Sequence, residues 1–140
     1  MTNRTHLTFL LLTLSFALSA QTASKTFNKS FNTDNRGTIM LDLPGNIDLK
    51  VWDNPSIKFE ISVTLASGNG AMLNELANIG RYNLVSKSEG DVLVITAPNL
   101  QKQLKVKGEV LREVLTFMVF VPKDLKIELP HVTAATELKK

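Results

Sequence analysis

Three carboxylates, Asp42, Asp48 and Asp53, lie close together in a stretch that alternates between apolar and polar residues. Carboxylates on neighbouring strands can act as a general acid and base, or bind Ca²⁺. The alternation also explains Asp42 and Asp48 as solvent-facing positions of two strands, and Asp53-Asn54-Pro55 has ordinary turn chemistry. A calcium loop has denser oxygen ligands than this stretch offers. A carboxylate-based hydrolase is therefore kept only as an alternative.

The rest of the sequence offers little for catalysis. There is no cysteine, so thiolate metal sites, disulfides and a cysteine nucleophile are excluded. The histidines are His6 and His131, too few for a zinc site or a catalytic dyad. No serine lies in a Gly-x-Ser-x-Gly motif, and Ser67-Gly68-Asn69-Gly70 lacks the Gly-Lys-Ser/Thr ending of a phosphate-binding loop. We therefore expect a protein that is not an enzyme and holds neither a metal nor a cofactor.

Trp52 and Tyr82 are the only tryptophan and the only tyrosine. A tryptophan on the polar side of a strand can stack on a sugar or anchor a protein partner. Trp52 and Tyr82 are therefore the candidate ligand-binding residues. The alternative is that Trp52 covers a sheet edge or packs beneath a helix, because large aromatic side chains gain most of their energy through burial.

Residues 37–53, GTIMLDLPGNIDLKVWD, must position the aspartates and Trp52. Residues two apart on a strand share a face, so this pattern predicts strand, turn and strand, with Pro44-Gly45 as the turn. The apolar rows are Ile39, Leu41 and Leu43 before the turn, and Ile47, Leu49 and Val51 after it. Asp48, Lys50 and Trp52 are predicted to lie on the opposite, polar side of the second strand.

The next segments repeat and then interrupt this pattern. Residues 56–65 alternate strictly, which favours an antiparallel sheet covered on one face or a solenoid coil. After residue 70 the period changes, and a short helix is predicted, capped by Gly80. Its shared face is expected to comprise Met72, Leu73, Leu76 and Ile79.

Further strands are expected at residues 25–32, 82–87, 91–97 and 109–121, with a new alternation starting at Leu125. Residues 92–95 and 114–121 are apolar on both faces, so both strands are expected to lie inside the fold. The sequence predicts an all-β fold, a partial β-solenoid or a β-sandwich of about seven to nine strands with one short inserted helix.

Residues 1–20 have the polar start, apolar run and small final residues of a secretory signal peptide. Residues 21–130 are predicted to form a single β domain, and residues 131–140 a frayed tail. No stretch after the signal is apolar and long enough for a transmembrane helix. Arg4 lies in the predicted signal peptide, and the rest of the chain has 15 basic and 13 acidic side chains. These charges are spread along the strands, so they give no support for nucleic-acid binding.

Three segments, LPGNIDLKVWDNPSIKFEIS, RYNLVSKSEGDVLVITAP and FMVFVPKDLKIELP, together resemble an adhesin-type domain family of unknown function. The signal ending LSAQT is similar to those of secreted Bacteroidetes proteins. The resemblance covers residues 27–129 and implies a β-solenoid and a role in adhesion, but no specific catalytic or binding residues. Members commonly continue with further Gly-x-Ile rungs, which do not follow Val121-Pro122 here, so the resemblance implies a truncated member.

These features predict a non-catalytic exported module of the periplasm or cell surface, which recognises a protein or a glycan through an exposed β face or edge. An exposed edge could also support self-association. A rival function is a periplasmic carrier of an apolar ligand or lipid, in which the strands that are apolar on both faces would line a cavity.

Overall fold

The structure is a computed structural model and describes residues 22–130. Within that range the chain forms one α-helix and ten β-strands, which confirms the predicted all-β fold with a short helix. The count exceeds nine because β7 and β8 are two-residue strands. The elements are β1 (Ala23–Asn32), β2 (Thr38–Asp42), β3 (Asn46–Trp52), β4 (Ser56–Leu65), α1 (Gly70–Asn78), β5 (Val85–Glu89), β6 (Val92–Thr96), β7 (Lys105–Val106), β8 (Glu109–Val110), β9 (Glu113–Pro122) and β10 (Lys126–Glu128).

The larger strands form two four-stranded sheets. The first sheet has the order β1-β4-β9-β3, and the second has the order β10-β2-β6-β5. Both sheets mix parallel and antiparallel pairs: β3 is parallel to β9, and β2 is parallel to both β6 and β10, whereas the other neighbours are antiparallel. The predicted signal peptide, the predicted tail and both histidines lie outside the described residues.

The two sheets and the helix share one apolar core. Ile39 and Ile95 come from the second sheet, Phe59 and Phe117 from the first, and Leu73 from the helix, and each is at most 1% exposed. Because alternate side chains of a strand share a face, each sheet buries one row of residues. The strict alternation of residues 56–65 appears as β4, in which every second residue is buried.

The two strands that are apolar on both faces lie inside their sheets. β6 lies between β2 and β5, and β9 lies between β3 and β4. Their inner rows, Leu93 and Ile95 on β6 and Phe117 and Val119 on β9, pack in the core and are at most 2% exposed. The other row of β9 begins with the exposed Val114 and is half-buried from Thr116 onward, where it includes Met118 and Phe120. This outward row contributes to the candidate site.

The helix begins and ends with defined caps. The Asn69 side chain accepts a hydrogen bond from the Met72 backbone N–H at 2.9 Å. Gly80 follows the C-cap with a φ of +78°, as its predicted capping role requires. Leu73 and Leu76 are buried, but the prediction that Ile79 shares their face is wrong: Ile79 is 70% exposed because the helix ends at Asn78.

Two predicted strands differ from the observed ones by three residues or more at their first residue. The strand expected over residues 109–121 is divided, because β8 pairs with β7 and β9 starts only at Glu113. Lys107 and Gly108 form the turn between β7 and β8, both with positive φ. The strand expected from Tyr82 starts at Val85 instead. No helix within residues 22–130 is long and apolar enough to cross a membrane.

Candidate functional site

The outward face of the first sheet brings aromatic and cationic side chains together. In the strand register Phe120 of β9 lies between Lys50 of β3 and Lys58 of β4. Trp52 follows Lys50 by two residues, so it lies on the same face of β3. We call Lys50, Trp52, Lys58 and Phe120 the aromatic patch. It combines residues of three strands, of which β9 is far from β3 and β4 in the sequence.

The two aromatic rings are in contact. The centroids of Trp52 and Phe120 lie 5.5 Å apart with the ring planes tilted by 44°. The Nζ atoms of Lys50 and Lys58 lie 5.9 and 5.2 Å from the Phe120 centroid. Such distances allow cation–π attraction between the two ammonium groups and the ring. The patch therefore offers an apolar surface with positive charge on both sides.

The turn between β3 and β4 fixes the indole of Trp52. Its Nε1–H donates to the backbone oxygen of Ser56 at 2.9 Å. Ser56 in turn donates from its backbone N–H and its hydroxyl to Asn54 Oδ1, at 3.0 and 2.8 Å. A side chain that is already held in one orientation loses less entropy when it binds a ligand. Trp52 is therefore preorganised as a stacking surface.

An open cleft of about 510 Å³ adjoins the patch, and Trp52 forms part of its wall. We call it the turn cleft, because the loops before β2, β4 and β10, together with the last residue of β9, supply its other residues. These are Thr33, Asn35, Arg36, Asp53, Asn54, Pro55, Pro122, Lys123, Asp124 and Leu125. A hydrogen bond from Lys123 to Asp53, together with the charge of that carboxylate, raises the pKa of Lys123. The cleft therefore offers both hydrogen-bond donors and hydrogen-bond acceptors beside the aromatic patch.

The two lysines of the patch differ in their partners. Lys58 forms an ion pair with Glu60 at 2.7 Å. Lys50 is exposed and contacts the Phe120 ring, and it has no ion pair among residues 22–130. Lys50 is therefore the cation best placed to meet an anionic group from outside the chain.

Tyr82, the second residue predicted to bind a ligand, lies in another part of the molecule. Its side chain is 5% exposed, and its ring stacks on Phe27 with centroids 5.3 Å apart. Its hydroxyl donates to Glu113 Oε1 at 2.9 Å. Burial, followed by the hydrogen bond to Glu113, raises the pKa of Tyr82 well above its usual value. The structure therefore places Trp52 on an exposed face and Tyr82 in the interior.

Tyr82 belongs to a buried polar cluster that the sequence analysis missed. Arg81 Nη2 forms an ion pair with Glu113 Oε2 at 2.7 Å, and both side chains are 6% exposed. Arg81 Nη1 donates to the backbone oxygens of Asn99 and Lys102, the latter at 2.7 Å. The cluster ties the segment after the helix and the loop after β6 to the start of β9. No short sequence pattern indicates this cluster, because Arg81 and Glu113 are 32 residues apart.

The three aspartates lie on different elements. Asp42 ends β2 in the second sheet, Asp48 is exposed on β3 in the first, and Asp53 lies in the following turn, paired with Lys123. Within residues 22–130, no group of three or more histidine, cysteine or acidic side chains is arranged to hold a metal ion.

Lys58 and Phe120 were also missed as candidate site residues. The sequence shows that Phe120 lies on the second face of its strand, but only the strand register places it between two lysines. Comparisons with protein-family models, curated proteins and solved structures found no match to this chain.

Proposed function

We propose that this protein is a non-catalytic binding module that recognises a glycan carrying an acidic group. The observation that carries the proposal is the aromatic patch, in which Trp52 and Phe120 touch on an outward sheet face beside Lys50 and Lys58. Trp52 would be the ligand-binding residue, and Tyr82 would support the fold from the interior.

Each part of the patch suits one part of such a ligand. The C–H face of a sugar ring is apolar and can pack on the indole of Trp52. A carboxylate or sulfate on that ring would meet Lys50, which has no ion pair among the described residues. The amides of Asn35 and Asn54 in the turn cleft could hydrogen-bond sugar hydroxyls.

The face beyond the patch is polar and carries hydroxyl groups. Ser24 and Thr64 are hydrogen-bonded to each other at 3.0 Å, and Thr26 and Ser62 at 3.2 Å, across β1 and β4. Such a hydroxyl-bearing face can contact a ligand that extends beyond one sugar ring. A chain of several sugars therefore fits the face better than an isolated monosaccharide.

Export to the periplasm or cell surface and a role in adhesion are part of this proposal. They rest on the predicted signal peptide and on the resemblance to the adhesin-type family. A partial solenoid is supported by the parallel pairs β3–β9 and β2–β10, because β2 leads directly into β3 and β9 leads directly into β10. Recognition of a protein through the same face is the alternative partner within this function.

The test is calorimetric titration of the purified protein with three oligosaccharides of equal length: one uronic, one sulfated and one neutral. We expect binding of an acidic oligosaccharide, with the uronic and sulfated arms identifying the preferred group. Replacing Trp52 by Ala should weaken binding of the acidic oligosaccharide about tenfold or more, because the stacking surface is lost. A factor of ten corresponds to about 1.4 kcal/mol of binding free energy. Lys50→Gln should weaken binding of the acidic oligosaccharide less than Trp52→Ala does, and should make that binding less dependent on salt concentration.

Lys29→Gln is the matched control, because Lys29 also lies over a phenylalanine ring, 5.5 Å from the Phe31 centroid, but on β1. It should leave the affinity unchanged. The proposal fails if none of the oligosaccharides binds, or if Trp52→Ala and Lys50→Gln bind as tightly as the unaltered protein.

A carrier of an apolar ligand is the second candidate function. The strands expected to line its cavity, β6 and β9, instead direct their inner rows into the shared core. The observation in its favour is an apolar cleft of about 420 Å³ between β3 and β10. Binding of an apolar dye to that cleft would support it.

A further inference from the structure

β3 is one of the two outermost strands of the first sheet, so one of its edges has no neighbouring strand within residues 22–130. Exposed edges in natural proteins are usually protected from pairing with another chain. This edge is apolar on its inner side, where Val51 is 51% exposed and Leu49 is half-buried. Beside it lies the cleft of about 420 Å³, which we call the edge cleft. Its walls include Leu49, Val51, Val121, Leu125, Ile127 and Leu129.

The sequence of β3, Asn-Ile-Asp-Leu-Lys-Val-Trp, is complementary to itself when it is read in the opposite direction. With Leu49 opposite Leu49 of a second copy, Asp48 lies opposite Lys50, and Ile47 lies opposite Val51. We propose that β3 pairs antiparallel with β3 of a second copy of this chain, across a two-fold axis at Leu49. The proposal does not rest on glycan binding, and in the dimer Asp48 of the second copy would compete with an acidic ligand for Lys50.

The charges select this register. Opposite charges placed directly across an antiparallel pair are stabilising, and like charges are destabilising. Because a two-fold axis repeats every contact, the Asp48–Lys50 pair forms twice. Moving the axis by one residue places Asp48 opposite Asp48 or Lys50 opposite Lys50. Among these three registers, the axis at Leu49 alone pairs opposite charges.

The apolar row supports the same arrangement. Ile47, Leu49 and Val51 face the inner side of the sheet, so pairing would extend this row across both copies. Val51 would then be covered by Ile47 of the second copy. The edge clefts of the two copies would also meet at the interface. The pairing therefore removes both an unpaired strand edge and an exposed apolar surface.

The edge of the second sheet beside the edge cleft is a weaker candidate. β10 also reads as self-complementary, with Lys126 and Glu128 flanking Ile127. These two side chains already form an ion pair within the chain, at 2.7 Å. By contrast, neither Asp48 nor Lys50 has an ion pair among the described residues. β3 is therefore the better candidate for the interface.

Sedimentation velocity of the purified protein over a range of concentrations tests the pairing. We expect a reversible monomer–dimer equilibrium. Trp52 provides a second readout: it is the only tryptophan and would lie opposite Asn46 of the second copy, so its emission should change with concentration. Val51→Lys should weaken the dimer strongly, because it would place a charge in the joined apolar row.

A charge-exchange series makes the test specific for the register. Asp48→Lys and Lys50→Asp should each weaken the dimer about tenfold or more, because each variant creates like-charge pairs twice. The double variant D48K/K50D should restore most of the affinity. Glu75→Lys, the same charge change on the exposed side of α1, should have no effect.

A monomer at all concentrations would overturn the proposal. So would a dimer in which the double variant is as weak as the single variants, because its contact would then lie elsewhere. If the protein is monomeric and binds an apolar dye that Val51→Lys releases, the edge cleft holds a small ligand and not a second copy.

Discussion

Glu113 accepts three hydrogen bonds from two buried side chains. Its donors are Arg81 Nε at 3.4 Å, Arg81 Nη2 at 2.7 Å and the Tyr82 hydroxyl at 2.9 Å. A buried ion pair of this kind adds little net stability compared with apolar residues, but removing one partner leaves the other charge uncompensated. Single substitutions in this cluster should therefore lower the free energy of unfolding strongly.

Glu113→Ala is expected to lower the free energy of unfolding by about 3–5 kcal/mol, because it leaves the buried guanidinium of Arg81 without its carboxylate. The measurement is a urea titration followed by circular dichroism. Glu60→Ala is the control: it breaks the partly exposed pair with Lys58 and should cost less than about 1 kcal/mol. Equal losses in the two variants would contradict a stabilising role for the buried cluster.

Tyr82 makes the stability depend on pH at the alkaline end. Burial and the bond to Glu113 raise its pKa in the folded protein, whereas in the unfolded chain it is about 10. Above pH of about 10 the unfolded chain loses this proton and the folded protein keeps it, so stability should fall as pH rises. Below pH of about 10 the contribution of Tyr82 is complete.

Tyrosinate absorbance tests this directly, because Tyr82 is the only tyrosine. The folded protein should titrate at clearly higher pH than the same protein in concentrated urea. Tyr82→Phe should remove part of the alkaline loss of stability. Identical titration curves for the folded and unfolded protein would show that the hydroxyl is not held as described.

The alternation of apolar and polar residues correctly placed Trp52 on the outward face of β3, because alternation is a local property of the sequence. It gave no sign that Tyr82 is buried whereas Trp52 is only half-buried. The reason is physical: the partner of the Tyr82 hydroxyl, Glu113, is 31 residues away, and only the folded chain joins them.

At the scale of elements, the turn from β2 to β3 depends on Gly45. Its φ is +111°, and a Cβ placed there would lie 2.8 Å from the backbone oxygen of Leu115. Gly45→Ala therefore combines an unfavourable backbone conformation with a close contact to β9. We expect it to cost about 1–3 kcal/mol, measured by urea titration.

Gly90→Ala separates the two causes. Gly90 also has a positive φ, +61°, but an added Cβ would meet nothing within 4 Å. It should cost about 1 kcal/mol, from the backbone conformation alone. A loss at Gly45 no larger than at Gly90 would show that the approach to β9 is not restrictive.

The elements that could be predicted are those whose signal is local. β4 begins and ends at the predicted residues 56 and 65 because ten residues alternate without interruption. The break between β8 and β9 was missed, because it depends on the pairing of β8 with β7 and of β9 with β4. The residues between β8 and β9 are themselves compatible with a strand. Ile79 was wrongly predicted to lie on the shared face of the helix, because the helix ends at Asn78 and Ile79 is its exposed C-cap residue.

At the scale of the whole molecule, the strand order was not accessible from the sequence. β9 lies between β3 and β4, although about 50 residues separate it from β4 in the chain. That insertion brings Phe120 between Lys50 and Lys58. The aromatic patch is thus a product of topology, and the sequence pattern contains only its separate parts.

The aromatic patch places on the outward face of the first sheet the groups that we propose bind an acidic glycan. Amide NMR spectra recorded during titration with a uronic or sulfated oligosaccharide would test this proposal most directly. We predict that the shifted signals come from β3, the second half of β9 and the turn after Trp52, and include the Trp52 indole N–H. Shifts confined to α1, β5 or β6, or no shifts with either acidic ligand, would contradict the proposal.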